Sequence, residues 1–508
     1  MKNRLSTKLA YASGDIYGGG AFMVFSLLFM NYLVLVEGLS VVAATAIIFI
    51  GRVWDAFFDP VMGRISDRAR SRFGRRRVFF LAGMLPVYVS FVMLFYGFGL
   101  QHDTDHTALV VYFTFSYIFW GMSFSLVMVP YNAILSDMTS DYNERTSFTT
   151  IRMLFSGGAS LVCAVVPSMI IKGMGGDTIG PEQRSGYLVM ALVLGAVFAI
   201  AWLLVFLGTY EREDVPPAAH VTLHDWVSVF SNRAYRNFLG IFLGFQVTVD
   251  LTLAIFIFYM DIVLLKYQYY ELVVGLLLVC TVLFIPLMNM LAQRRGKAFP
   301  LFIGIPLWIA ASLVFIGVDS ATPLSLLCVL AVVIAAGSAS GNLATWSMLT
   351  DIYDIDELLT AQRREGVYSG VTTFLRKFAS GVAVLLVGLG LQVVHFDQNE
   401  YQVLRAQSQS LDPRAYADNL AVVGIKWMFI AIPLVLLSVC LAFALRTKVN
   451  QQRFDAVLAG IDELKTTGTL DGLTAQQLDD VLVVTGTTSG QLWGGEPVPP
   501  PASGRRPR

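Results

Sequence analysis

About a dozen runs of roughly 20 mostly apolar residues recur along this chain, and they restrict its fold more than any other feature. They lie near 14–37, 41–66, 78–100, 107–135, 148–173, 186–209, 236–264, 269–292, 298–319, 323–350, 365–394 and 419–445. A helix rises about 1.5 Å per residue and the hydrocarbon core of a bilayer is about 30 Å thick, so each run can cross it once. No water satisfies peptide groups in that core, and a spanning run must therefore be helical. The sequence predicts an all-α membrane protein of about twelve transmembrane helices, in keeping with 56% hydrophobic and only 14% charged residues. A formal net charge of zero gives no footprint for nucleic acid. Cys163, Cys280, Cys328 and Cys440 fall inside apolar runs without paired spacing, which indicates neither disulfides nor a metal site. Lys2, Arg4 and Lys8 precede the first run as they would a signal peptide, but the run is too long and lacks a small-residue cleavage pattern.

Lysine and arginine set the orientation, because short loops rich in them stay in the cytoplasm. The segment before the first run, the loop Arg64–Arg77, the turn Arg294–Lys297, the Arg363-Arg364 loop and Arg446/Lys448 all follow an even number of runs. Both termini are therefore predicted to be cytoplasmic. A charged, proline-rich linker, Tyr210–Pro217, is followed by an amphipathic stretch, Val221–Phe230, and divides the runs into two sets of six. The predicted organisation is an N-terminal half over 1–209, a cytoplasmic linker over 210–235, a C-terminal half over 236–446 and a cytoplasmic tail over 447–508. Internal similarity supports two halves. Leu135-Ser136-Asp137 followed by Glu144-Arg145 parallels Leu349-Thr350-Asp351 followed by Arg364-Glu365, and Asp59-Pro60-Val61-Met62 parallels Ile285-Pro286-Leu287-Met288. In the tail, Gln451–Leu464 and Thr474–Val483 read as amphipathic helices, and the Pro/Gly-rich end as disordered, with no role in transport.

The stretch Gly51–Arg77 carries the chemistry. Asp55 and Asp59 stand in the second apolar run, where a charge costs roughly 2.5–3.5 kcal/mol. Four residues apart, they share one helix face, and two carboxylates that close resist joint ionisation unless a proton or metal ion lies between them. They are candidate ligands for Na⁺ or H⁺. Arg52 supplies the alternative, a structural ion pair with Asp55. The following arginine loop suits a cytoplasmic gate of Asp67, Arg68 and Arg75, with Asp137, Arg145, Asp351 and Arg364 at the corresponding loops. A central cavity is predicted to be lined by Tyr17, Asn132, Arg152, Gln246, Asp250, Trp346, Tyr368 and Lys377, where rings stack on sugar faces and amides and charges hold hydroxyls. For each there is a packing alternative. Asp250 either meets substrate or pairs with Lys377 or Arg152, and Asp15 and Asp261 read as interfacial. All five histidines lie in loops or at span ends. With no nucleophile, metal cluster or histidine set at membrane depth, no enzymatic activity and no cofactor beyond a coupling ion are predicted.

Asp67/Arg68 with Gly74/Arg75/Arg76 between the second and third runs resembles the major facilitator superfamily signature. More specifically, Arg52-Val53-Trp54-Asp55-Ala56 with Asp59-Pro60, Arg70-Ser71-Arg72-Phe73-Gly74, Asp351, Asp354 and Arg364-Glu365 resemble the glycoside/pentoside/hexuronide cation symporters, the melibiose-permease group, over about residues 8 to 445. That resemblance implies a monomer in the plasma membrane that carries a sugar together with a monovalent cation. It implies cation ligation by Asp55, Asp59 and the Ser125 hydroxyl, a sugar-site role for Arg152, and a place near the cation for Lys377. Two departures stand out: Met128 replaces an acid of the fourth span, and Gly18-Gly19 replaces a Lys-Asp pair of the first. Together with Arg152 and Lys377 as cavity cations, they point to a uronide or other acidic sugar, unless Asp55 and Asp59 neutralise those cations. Lys377-Phe378-Ala379-Ser380-Gly381 also resembles the vertebrate sodium-dependent lysophosphatidylcholine transporters, which makes lysophospholipid the alternative cargo.

Overall fold

The computed structural model describes residues 4–100, 102–139, 142–176, 180–211, 223–362, 364–394, 396, 403, 416, 418–487 and 492–493. Among these, twelve helices are long and apolar enough to cross a membrane. In order, the spans are Leu5–Phe29, Val41–Ser66, Arg77–Leu94, His106–Leu135, Ser147–Gly175, Pro181–Gly208, Arg233–Val263, Tyr267–Arg295, Phe299–Gly317, Leu324–Thr360, Glu365–Val393 and Leu420–Leu445. The all-α, twelve-span expectation holds, and the main difference is at the first span, which starts at Leu5 rather than near residue 14.

That early start moves Asp15 well inside the helix. At about 1.5 Å per residue it lies some 15 Å from the beginning of the span, and it is 5% exposed. It is therefore a buried residue in the body of a helix and not at a helix end.

The first and seventh spans share one backbone irregularity. Beyond Val24 the first span loosens into wide π turns at Phe25–Phe29 and Tyr32–Val36. The Glu37 N–H then donates to the Tyr32 carbonyl at 2.9 Å, and the Leu39 N–H to the Leu33 carbonyl at 2.9 Å. The seventh span ends in the same way at Tyr259–Val263. There the Leu264 N–H donates to the Tyr259 carbonyl at 3.0 Å, and the Lys266 N–H to the Met260 carbonyl at 2.8 Å.

The second and eleventh spans run antiparallel along each other in one register. Thr45 faces Gly388, Arg52 faces Gly381, and the rings of Phe57 and Phe374 meet edge to face at 5.5 Å. A Cβ on Gly388 would come within 2.0 Å of the Thr45 hydroxyl oxygen, so only glycine lets the two backbones approach this closely. At the end remote from the arginine loop, the fifth and eighth spans are tied by Lys172 and Glu271 at 2.6 Å.

At the arginine-loop end, the first six and last six spans repeat one device. Arg75 and Arg76 meet the buried Asp137 at the foot of the fourth span, at 3.1 and 2.8 Å. In the second set Lys297 pairs with the buried Asp351 near the foot of the tenth. Of the residues expected at the gate, Arg75, Asp137 and Asp351 lie in these pairs. Arg364 forks onto Asp356 at 2.9 and 2.6 Å and donates to Ser228. Arg68 is exposed, while the side chains of Asp67 and Arg145 lie outside the described residues.

Glu211, the second residue of the linker, caps the third span. Its carboxylate accepts the backbone N–H groups of Arg75, Arg76 and Arg77, each at 2.8 Å, where a helix start leaves donors unpaired and a negative charge is favoured. Glu211→Gln turns one acceptor oxygen into a donor that faces the Arg75 N–H. We expect it to cost about 1–3 kcal/mol, read as a lowered unfolding temperature in detergent.

The remaining linker over 212–222 and the Pro/Gly-rich end over 494–508 lie outside the described residues. The tail helices are present, at Gln451–Thr466 and Ala475–Thr485. A reciprocal cap between Thr474 and Gln477 starts the second, and Arg453 ties the two through Asp480 at 3.1 Å. They pack under the last six spans, with Lys465 on Glu357 at 2.6 Å and Lys297 over the Phe454 ring.

Candidate cation and substrate site

Asp55 and Asp59 project from one face of the second span toward the fourth and eleventh. Pro60 follows directly and cannot donate a backbone N–H, so the carbonyl one turn back at Ala56 loses its usual helical partner. The Ser125 hydroxyl, 1% exposed, lies 3.0 Å from Asp55 Oδ1 and 2.5 Å from Asp59 Oδ1. Lys377 Nζ lies 2.7 Å from Asp55 Oδ2 and 2.6 Å from Asp59 Oδ2. Three oxygens therefore converge on one side of the carboxylate pair, and an ammonium from the other six spans occupies the opposite side. A single hydroxyl has one proton to give, so it cannot satisfy both nearby carboxylate oxygens. Among the described residues no group of three or more His, Cys, Asp or Glu side chains is gathered as a metal cluster.

The partner of the acid pair is thus Lys377, and the alternative based on an Arg52–Asp55 ion pair is not what the structure shows. Arg52 instead turns its guanidinium over the rings of Phe22 and Phe25, at 5.0 and 5.4 Å from their centroids. It is 7% exposed, and its Nε has no hydrogen-bond partner among the described residues.

Arg152 is also paired. It meets Asp15 at 2.5 Å, donates to Asn132 at 2.7 Å and lies over the Tyr131 ring. Asp250 neither pairs with Lys377 nor with Arg152. Its oxygens face Arg376 at 3.4 Å and Ser380 at 2.9 Å, both on the eleventh span. With Arg152 and Lys377 each held by carboxylates, they cannot serve as the free cavity cations on which the preference for an acidic sugar rested.

Two further lining residues are placed elsewhere. Tyr17 is fully buried in a ring cluster with Phe124, Phe198 and Trp202. Tyr368 is fully buried at the arginine-loop end, donating to Asp356 at 2.6 Å and accepting from Asn232. Both are packing residues in this state. Gln246 is buried on the seventh span, whereas Trp346 is 49% exposed with its ring edge-on to Phe242.

The two departures from the symporter pattern meet at Gly18. A Cβ there would come within 2.8 Å of the Met128 methyl and 2.7 Å of Asp15 Oδ1, whereas one on Gly19 would come within 2.7 Å of the Ser156 hydroxyl oxygen. The thioether packs against the bare backbone of Gly18, beside the Asp15 carboxylate. Asp15, Arg376 and the isolation of Arg52 escaped sequence reasoning. The available signal was that Asp15 and Arg376 are charges inside apolar runs with no opposite charge three or four residues away; Arg52 has Asp55 at that spacing, which pointed to the wrong partner.

Twelve spans, charges buried at mid-depth and a basic-loop device repeated in each set of six define a multi-pass membrane transporter of the major facilitator fold. Residues 10–451 match the model of the MFS/sugar transport protein family. The chain belongs to that family. It is 26% identical to an uncharacterized symporter of Synechocystis, with 78% of this chain and 87% of that one covered. It is 27% identical to the glucuronide carrier protein homolog of Escherichia coli, with 79% and 87% covered. Among solved structures, a bacterial homolog of the human lysosomal transporter Spinster superposes with a TM-score of 0.58 at 14% identity, covering 90% of this chain and 97% of that one.

Proposed function

We propose that the protein is a cation-coupled symporter of a sugar or glycoside, working by alternating access in the plasma membrane with both termini in the cytoplasm. The observation that carries this reading is the Asp55–Asp59–Ser125–Lys377 cluster, because its acids belong to the first six spans and its ammonium to the last six. A Na⁺ or H⁺ bound by the acids competes with Lys377 and so changes how strongly the two halves attract each other. Coupling is then reciprocal: the cation raises affinity for sugar by the factor by which sugar raises affinity for the cation. Asn132 and Trp346, both exposed, are the expected sugar contacts, with Arg152 positioned on Asn132 by Asp15.

Uptake by proteoliposomes tests this under separately imposed Na⁺ and pH gradients, with glycosides as cargo and a lysophospholipid as the control. We expect glycoside accumulation under one of the two gradients and none without a gradient. Accumulation of the lysophospholipid alone would overturn the sugar reading, and glycoside equilibration that ignores both gradients would overturn coupling.

A further inference from the structure

Two arginines from opposite halves meet over one ring. The guanidinium carbons of Arg52, on the second span, and Arg376, on the eleventh, lie 5.0 and 5.9 Å from the centroid of Phe22. A guanidinium keeps its charge at any working pH, so two of them gathered out of water repel each other unless an acid answers both. Asp250 of the seventh span is that acid. Its carboxylate faces Arg376 at 3.4 Å and accepts the Ser380 hydroxyl at 2.9 Å, and it is one of the two acidic neighbours of Arg52, the other being Asp55. Asp55 therefore has two cationic claimants within the protein: Lys377 in contact at 2.7 Å, and Arg52 one helical turn before it. Arg376, next in the chain to Lys377, stands ready as a third.

We infer that Asp250 screens the cation site: by holding the charges of Arg52 and Arg376, it leaves Lys377 as the sole competitor of the bound cation for Asp55 and Asp59. This deepens the symport reading above and rests on it. Among the described residues the hydrogen bonds of Asp250 come from Arg376 and Ser380, and none from the cation ligands, so it acts through the arginines as a positioning residue. Arg52 is 7% and the Asp250 side chain 10% exposed, so little water weakens the forces between these charges, which are several times stronger than at a surface. Without Asp250, Asp55 is the acidic neighbour left to Arg52, and Arg376 adds its charge beside Lys377. A Na⁺ or H⁺ entering the pair then works against three positive groups instead of one. Asp250 and Arg376 also belong to the same set of six spans, so their pair stays together while the halves rock.

Thermal stabilisation of the purified protein in detergent tests this, with Na⁺ titrated at constant ionic strength, protons titrated by pH, and the cation response defined as the part that Asp59→Asn removes. Asp250→Asn, whose amide oxygen still accepts from Ser380, should move the midpoint to roughly tenfold higher Na⁺ or about one unit lower pH. Adding Arg376→Gln should recover part of that shift, because one of the two released charges is gone, whereas damage to packing alone would compound. Arg376→Gln by itself should bind the cation as tightly as the unaltered protein or more tightly, and this variant carries the test if Asp250→Asn does not fold. An unmoved midpoint in folded Asp250→Asn, weaker binding in the double variant than in the single one, or weaker binding in Arg376→Gln alone would each overturn the inference while leaving symport intact. If the unaltered protein responds to neither cation, the symport reading and this inference fall together.

Discussion

Asp59→Asn is expected to abolish cation-driven accumulation, and Lys377→Met is expected to do the same for the opposite reason. The amide leaves Asp55 alone with Lys377, a neutral pair with no remaining charge for a Na⁺ or H⁺ to compensate. The methionine leaves two carboxylates within reach of one serine hydroxyl and no ammonium, a combination that holds a cation or proton more tightly than before. Removing the ammonium leaves both buried carboxylates uncompensated at a cost of about 3–5 kcal/mol, whereas the amide removes the charge that draws a cation, and net uptake should fall by roughly a hundredfold or more in either case. The two variants separate in binding. Cation-dependent thermal stabilisation should vanish in Asp59→Asn and persist at lower cation concentration in Lys377→Met. Equal loss of cation response in both would mean that Lys377 is itself part of the binding site rather than its competitor.

The second large effect is steric. Gly388→Val should prevent the second and eleventh spans from closing along their shared register, because the first added carbon already falls within 2.0 Å of the Thr45 hydroxyl oxygen and 2.7 Å of its Cβ. Overfilling a close-packed contact costs about 1–3 kcal/mol where neighbours can yield, and helix backbones yield little. We expect a clear loss of folded protein or thermal stability in detergent. Thr45→Gly in the same chain should recover part of it, since it removes both the hydroxyl and the Cβ. No recovery would show that the eleventh span is held by contacts other than this one.

The spans were legible because a bilayer demands runs of a set length and tolerates few charges, and that rule needs no knowledge of partners. Its blind spot is where a helix begins. The apolar window started after Leu5-Ser6-Thr7-Lys8, so Asp15 looked terminal although the helix had already made several turns. The acid pair at Asp55 and Asp59 was readable for a related reason, as two charges on one face at membrane depth. What answers each charge was not readable. Arg376 and Lys377 are neighbours in the chain, but successive helical residues point about 100° apart, and the two reach different acids on different spans. Pairings such as Arg152 with Asp15 join residues far apart in sequence, and no local pattern encodes them. The tail was legible as two amphipathic helices, but the surface they cover depends on Glu357 and Lys297 being presented together at the foot of the last six spans.

The wide turns at Tyr32–Val36 and Tyr259–Val263 bear on how the two sets of six spans correspond. A π turn is what one extra residue makes of an α-helix when the rest of the helix keeps its packing. Here the turn closes the lead helix of each set of six, opens on a tyrosine and ends on a valine in both, and is followed by the same second long-range backbone bond two residues on. The further turn at Phe25–Phe29 has no counterpart in the second set among the described residues. Tyr32 and Tyr259 are therefore equivalent positions, and they give a fixed register in which the spans of one set can be laid on those of the other.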